Sequence, residues 1–261
     1  MSGGHLLVHL TDTHLLADPT ARLFGFDPDA HLRRVLTHIA ALPIEPAAYI
    51  VSGDLTNDGS TAAYARLAEA LTALTRPGTP VLLGLGNHDE RSAFRQMFGE
   101  WLDGVAPDAD GRLYYSRWIG DLRIVMLDSL APGQVWGDLG SAQLDWLARE
   151  LDRPAPGGDL IVVHHPVTSP GVPWLDDLLL VDAAALAEVV RGRPLLGILA
   201  GHCHVGSAAP FAGTLASTAP AVIFQFDHYP GPAGKVLPGL GFSLCTIGRH
   251  GLIVNPILLP P

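Results

Sequence analysis

The chain has 261 residues, long enough for one large α/β domain with a substantial core, and no stretch shows the compositional break of an interdomain linker. Apolar residues make up 48% and charged residues 16%, yet Asp, Arg, Gly and Pro interrupt every apolar run short of the ~18 residues a membrane helix needs, so a soluble protein with no membrane partner is expected. A formal charge of −10 argues against duplex nucleic acid as a partner, because that binding rests on lysine and arginine neutralising phosphates; an anionic ligand would need positive charge supplied locally.

Strand-like runs are expected at residues 5–11, 48–52, 80–85, 122–127, 160–163 and 195–200, alternating with helical patterns as in stacked βα units. The first helix starts near Asp27 or Asp29 and carries Leu32, Val35, Leu36 and Ile39 on one face. The second runs from a Ser60 or Thr61 cap through Tyr64, Leu67, Leu71 and Leu74 until Pro77 blocks it. Further helices fit the Glu90 to Trp101 segment, Ser141 to Leu151, with Leu144, Leu147 and Leu151 inward, and Asp182 to Arg191. After Gly206 the pattern changes to short strands at Val222–Phe226, Leu240–Ile247 and Leu252–Ile257, with a Pro/Gly-rich connection at 228–241 and a closing tail from Leu258 to Pro261. Residues 1–261 are therefore read as a single domain, with 206–261 completing a second sheet and forming the tail. No basic and apolar leader precedes His5, and two cysteines, Cys203 and Cys245, are too few for a disulfide framework; a cytoplasmic location is the expectation.

Five segments end hydrophobic runs with metal-binding side chains: Asp12-Thr13-His14, Gly53-Asp54, Gly86-Asn87-His88-Asp89, His164-His165 and Gly201-His202-Cys203-His204. In open α/β sheets chemistry collects beyond the carboxyl ends of strands, where all five fall. Each motif is weak alone; their conjunction predicts a site for two divalent metals. Cys203 alternates in direction with the flanking histidines and is read as a small buried hydrophobe. Asn57 and Asp58 read as turn residues with Gly59, and His165 as a neighbour of His164.

In the order of these blocks the chain resembles the calcineurin-like metallophosphoesterase superfamily, over residues 5 to about 225. The resemblance implies a four-layer α/β/β/α sandwich of two mixed sheets flanked by helices. It also implies one metal held by Asp12, His14, Asp54 and His204, and a second by Asp54, Asn87, His164 and His202, with Asp54 bridging. Mixed oxygen and imidazole ligands suit Mn, Fe or Zn, and a shared carboxylate suits a spacing of about 3.5–4 Å. Two dications offset by Asp12, Asp54 and a bridging hydroxide leave a formal charge of about +1, attractive to a phosphate diester, and the hydroxide is the nucleophile.

The resemblance further implies that His88 contacts the phosphate and protonates the leaving oxygen. Asp89 is expected either to orient that imidazole or to cap the following helix. Within the superfamily the chain is most similar to class III cyclic-nucleotide phosphodiesterases and glycerophosphodiesterases, so the expected reaction is hydrolysis of a small phosphodiester, 3′,5′-cyclic AMP first. The alternatives are another phosphoester, such as a glycerophosphodiester, a nucleoside diphosphate linkage or a phosphomonoester, and a non-catalytic scaffold of the same fold. The histidines outside the blocks read as structural or surface residues, and His228, in a late loop whose expected role is connection, is the one candidate substrate contact among them. Because symmetric dimers are the commonest soluble oligomers, a homodimer is the default.

Overall fold

Leu7, Val8, Leu10, Ile50 and Val51 are completely inaccessible, as expected of parallel strands covered on both faces. They belong to β1 (His5–Leu10) and β2 (Ala48–Val51), joined by α1 (Pro28–Ala41); α2 (Thr61–Leu74), β3 (Val81–Leu83) and α3 (Arg91–Phe98) continue the alternation. The second half begins with the hairpin β4 (Tyr115–Ile119) and β5 (Leu122–Met126), followed by α4 (Gly140–Leu151), β6 (Asp159–Val162), α5 (Ala183–Val190) and β7 (Leu195–Ala200). It closes with β8 (Ser207–Phe211), β9 (Thr214–Thr218), β10 (Gln225–Phe226), β11 (Val236–Leu237), β12 (Leu240–Gly248) and β13 (Gly251–Leu259). The structure, a computed structural model, describes residues 4–102, 104–230 and 235–260; the side chain of Leu74, residues 231–234 of the late loop and Pro261 at the expected tail lie outside that description.

Two mixed sheets result. One has the order β13-β12-β1-β2-β3, the other β4-β5-β6-β7-β9-β8. The inner strands β1, β2 and β3 run parallel, as do β5, β6, β7 and β9, while β12, β13, β4 and β8 are antiparallel additions. Residue-by-residue alternation fixes the layers. On β5, Ile124 and Met126 join the large core beneath α1, α2 and α3, whereas Val125 joins the core under α4 and α5; on β6, Leu160 and Val162 face one way and Ile161 the other. The sheets thus pack face to face with helices outside each, which is the α/β/β/α sandwich.

Helix starts follow the caps. Asp27 accepts from Ala30 N at 3.0 Å to open α1, and Ser60 accepts from Ala63 N at 3.3 Å to open α2. For α3 the cap is Glu90, which accepts from Ser92 N and Ala93 N, so Asp89 is not the cap that one reading of the sequence made it. Other differences lie at the carboxyl end. Residues 206–261 do not all complete the second sheet: β8 and β9 do, but β12 inserts beside β1 and β13 beside β12 in the first. Leu258 and Leu259 pair in β13 rather than forming a tail, and of the expected strand at 222–226 only Gln225–Phe226 pairs, with β11. Sheet membership depends on which edge is open, a property of the folded layers that alternation along one strand does not carry.

Candidate metal centre

Every expected site residue sits two to six residues past a parallel strand: Asp12 and His14 after β1, Asp54 after β2, Asn87, His88 and Asp89 after β3, His164 after β6, and His202 and His204 after β7. Reversing the chain so abruptly uses left-handed backbone at Asp12 (φ 55°), His14 (φ 45°), Asp54 (φ 46°), His202 (φ 68°) and His204 (φ 48°). Side chains rarely adopt that region without compensation, and its concentration here marks a site held by its surroundings. The motif glycines explain themselves in the same terms. A Cβ on Gly86 would collide with the Asp54 carboxylate, and one on Gly201 would overlap Thr11 Oγ1, so neither position admits a side chain.

The donors converge. His14 Nε2 lies 3.2 Å from His204 Nε2, 3.6 Å from Asp54 Oδ2 and 3.9 Å from Asp12 Oδ1, and His204 Nε2 lies 3.4 Å from the same Asp12 oxygen. On the other side, His164 Nε2 stands 3.4 Å from Asp54 Oδ2, and the His202 ring is 5.1 Å from that of His164. Asp54 Oδ2 therefore faces both groups, while its Oδ1 is occupied by the backbone N–H of His88 at 2.9 Å.

Three imidazoles are oriented from behind. His164 Nδ1 donates to the Ser52 carbonyl at 3.0 Å, His204 Nδ1 to the Phe224 carbonyl at 2.9 Å, and His14 Nδ1 to Asn57 Oδ1 at 3.2 Å. With the hydrogen on Nδ1, each Nε2 turns a lone pair into the cavity. Two such lone pairs cannot meet at 3.2 Å, as those of His14 and His204 do, unless positive charge lies between them. Asp12 Oδ1, Asn87 Oδ1, His164 Nε2 and both ring nitrogens of His202 are buried without a protein hydrogen-bond partner, an arrangement that is costly unless a cation completes it. The residues present fit a pair of divalent metals.

The electrostatics agree. Burial pushes His14 down to about 4, and burial with His164 pushes His202 to about 3, so both stand neutral, the liganding form, at pH 7. For Asp12, the burial that would raise its carboxyl is overcome by His204, and for Asp54 by His164, so both stay ionised. His164 is held up at about 9, burial being outweighed by Asp54; the pocket demands positive charge beside that shared carboxylate.

Residues 5–206 match the calcineurin-like phosphoesterase family. The chain belongs to that family. This phosphoesterase is 38% identical over 229 residues to a probable cyclic nucleotide phosphodiesterase of Rhodococcus erythropolis, covering 85% of this chain and 72% of that protein. It is 34% identical over 225 residues to a cAMP/cGMP dual specificity phosphodiesterase of Mycobacterium tuberculosis, covering 85% and 69%. Among solved structures it resembles a purple acid phosphatase from yellow lupin seeds, with a TM-score of 0.71 at 13% identity over 98% of this chain and 52% of that one; that likeness speaks for the fold.

Around the cage of this phosphoesterase several expectations change. His88 is exposed, and its Nδ1 donates to the Asn57 carbonyl at 3.0 Å, with its ring 4.9 Å from that of His14. Asp89 does not orient His88. It is buried and accepts from Gly86 N at 2.9 Å, Leu55 N at 3.1 Å, Thr56 N at 3.2 Å and Tyr64 Oη at 2.9 Å, so it clamps the Asp54 loop to the Asn87 loop and is a positioning residue. Burial, then the charge of Asp54, raises its carboxyl to about 6. Asn57, read as a turn residue, turns out to hold both His14 and His88, one through its side chain and one through its backbone. Nothing in the local sequence distinguishes it from a turn asparagine.

His165 lies against the second group, 4.5 Å ring to ring from His202, its Nδ1 paired with Ser129 Oγ at 2.7 Å. Cys203 packs with Val172, Leu175 and Val205, and burial pushes its thiol up to about 12, as befits a hydrophobe. His228 lines a cavity of about 330 Å³ with His204, Gln225, Phe226 and Leu237. Among the described residues no helix is long and apolar enough to cross a membrane.

Proposed function

We propose that this phosphoesterase hydrolyses the 3′,5′-phosphodiester of a small cyclic nucleotide, cyclic AMP first, at a centre for two divalent cations drawn from Mn, Fe or Zn. The observation that carries the reading is the placement of Asp54 Oδ2, which faces His14 Nε2 at 3.6 Å and His164 Nε2 at 3.4 Å and so can serve two ions at once. Asp12, His14, Asp54 and His204 would hold one cation, and Asp54, Asn87, His164 and His202 the other. The substrate class is supported by the relatives from Rhodococcus erythropolis and Mycobacterium tuberculosis, one named a probable cyclic nucleotide phosphodiesterase and the other a cAMP/cGMP dual specificity phosphodiesterase, each matched over 85% of this chain.

Bound divalent cations supply Lewis acidity at phosphorus and a nucleophile at neutral pH. The chain's own residues do the rest. Asp12 and Asp54 offset part of the cationic charge, while the neutral amide of Asn87 leaves an excess that draws in the anionic diester. His88, exposed beside the cage and anchored through Nδ1 to the Asn57 carbonyl, can hold its other proton at Nε2 and deliver it to the departing ribose oxygen. Ser52, Phe224 and Asn57 fix the imidazoles, so little reorganisation accompanies the reaction.

The test is a panel assayed with Mn²⁺: cyclic AMP, cyclic GMP, a glycerophosphodiester, bis-nitrophenyl phosphate and nitrophenyl phosphate. Cyclic nucleotides should give the largest kcat/KM. A larger value on the monoester would overturn the diesterase reading, and a larger value on the glycerophosphodiester would overturn the nucleotide assignment.

A further inference from the structure

Beside the cage stands an aromatic side chain that packing does not account for. Phe24 is 69% exposed, the most exposed phenylalanine among the core and surface hydrophobics described. It occupies the first central position of a two-residue turn in which Leu23 N donates to the Phe26 carbonyl at 3.0 Å and Phe26 N to the Leu23 carbonyl at 2.9 Å. Both central residues have positive φ, Phe24 at 49° and Gly25 at 86°. Such a turn favours Asn, Asp or Gly at both places, and a bulky aromatic there is strained. The strain stabilises no core, because the ring is turned to solvent.

What it does is place the ring. Phe24 stands edge-to-face on Phe224, with centroids 5.5 Å apart, and Phe224 stacks on His204 at 4.5 Å and lies 6.3 Å from His14. Phe26, 5.8 Å from Phe224, completes the support, and His31 Nδ1 donates to the Ile223 carbonyl at 2.6 Å, tying α1 to the segment that carries Phe224. Two ring-to-ring steps thus link a cage imidazole to an exposed aromatic face.

We propose that Phe24 is a substrate-binding residue whose exposed ring stacks on the nucleobase while the phosphodiester sits at the cage. This rests on the cyclic-nucleotide reading above. Because every base has a π-face, stacking of this kind contributes affinity with little choice among bases, so cyclic AMP and cyclic GMP should depend on Phe24 alike.

The experiment compares wild type with Phe24→Ala, Phe24→Tyr and Phe24→Asn on cyclic AMP, cyclic GMP and the base-less 1,2-dideoxyribose 3,5-cyclic phosphate. Phe24→Ala should raise KM for both nucleotides by about tenfold with kcat nearly unchanged, and leave KM for the base-less diester where it was. Phe24→Tyr should restore nucleotide KM. Phe24→Asn, the residue such a turn prefers, should raise Tm by about 2 °C while losing nucleotide affinity as Ala does. Unchanged nucleotide KM in Phe24→Ala, or an equal rise on the base-less diester, would overturn the stacking role alone. Failure of the wild type to turn over either nucleotide would overturn the functional reading and the stacking with it.

Discussion

Asp128 ties the two sheets together at the end that carries the cage, and its loss should unfold the protein about 10 °C earlier. The carboxylate follows β5 in the second sheet, is 1% exposed, and receives Arg91, the first residue of α3 on the first sheet, through Nε at 2.7 Å and a second guanidinium nitrogen at 2.9 Å. It also accepts from Leu113 N at 2.8 Å and Leu130 N at 3.0 Å. Asp128→Ala strands two buried backbone donors at about 1–3 kcal/mol each, and the unpaired guanidinium adds to that, although Arg91, 13% exposed, recovers part through water. A total of about 4 kcal/mol, at roughly 2–4 °C per kcal/mol for a chain of this size, gives the expected shift. Arg91→Ala should cost about half as much, because Asp128 keeps both backbone donors. Thermal unfolding by circular dichroism measures both. Equal shifts would show that the two backbone donors add nothing beyond the bidentate bridge, and a shift below about 3 °C in Asp128→Ala would show that this carboxylate does not hold the corner.

The remaining expectations concern the site. Asp54→Asn should lose both cations, measured by elemental analysis, whereas His204→Ala should weaken the Asp12 side first; equal stoichiometry in wild type and Asp54→Asn would refute the shared-ligand role. His88→Ala should retain metal content while kcat falls roughly 10²–10⁴-fold, and metal loss as complete as in Asp54→Asn would remove it from the leaving-group role. Asn57→Ala should weaken metal affinity about 10–100-fold through His14 while sparing the His88 contact, which uses the backbone carbonyl. Gly86→Ala should abolish metal binding with near-native far-UV circular dichroism, since its Cβ would strike the Asp54 carboxylate; full metal occupancy would refute that steric argument.

The separation between what the chain order contains and what folding adds is clear at particular residues. A strand ending in Gly-Asp or Gly-Asn-His advertises a ligand, because only a glycine there admits the close approach that the next side chain needs. The order of the five motifs, rather than any one glycine, is what put Asp12, His14, Asp54, Asn87, His164, His202 and His204 forward together, and the parallel strands and the apolar face of α1 were legible from periodicity. Roles that depend on a donor from another element were not. Asp89 could equally have faced His88 or a helix start, and only the convergence of N–H groups from Gly86, Leu55 and Thr56 makes it a clamp.

The sequence by itself determined the side-chain types of the candidate site, their order and the alternation of strands and helices that carries them, because these follow from side-chain chemistry and local periodicity. Tertiary structure alone decided that Asp54 Oδ2 faces two imidazoles, that Asn57 supports two histidines, that β12 and β13 join the first sheet, and that Phe24 stands in the open beside the cage. Each of these is a distance between segments far apart in the chain, set by how the layers pack rather than by any residue's own preference.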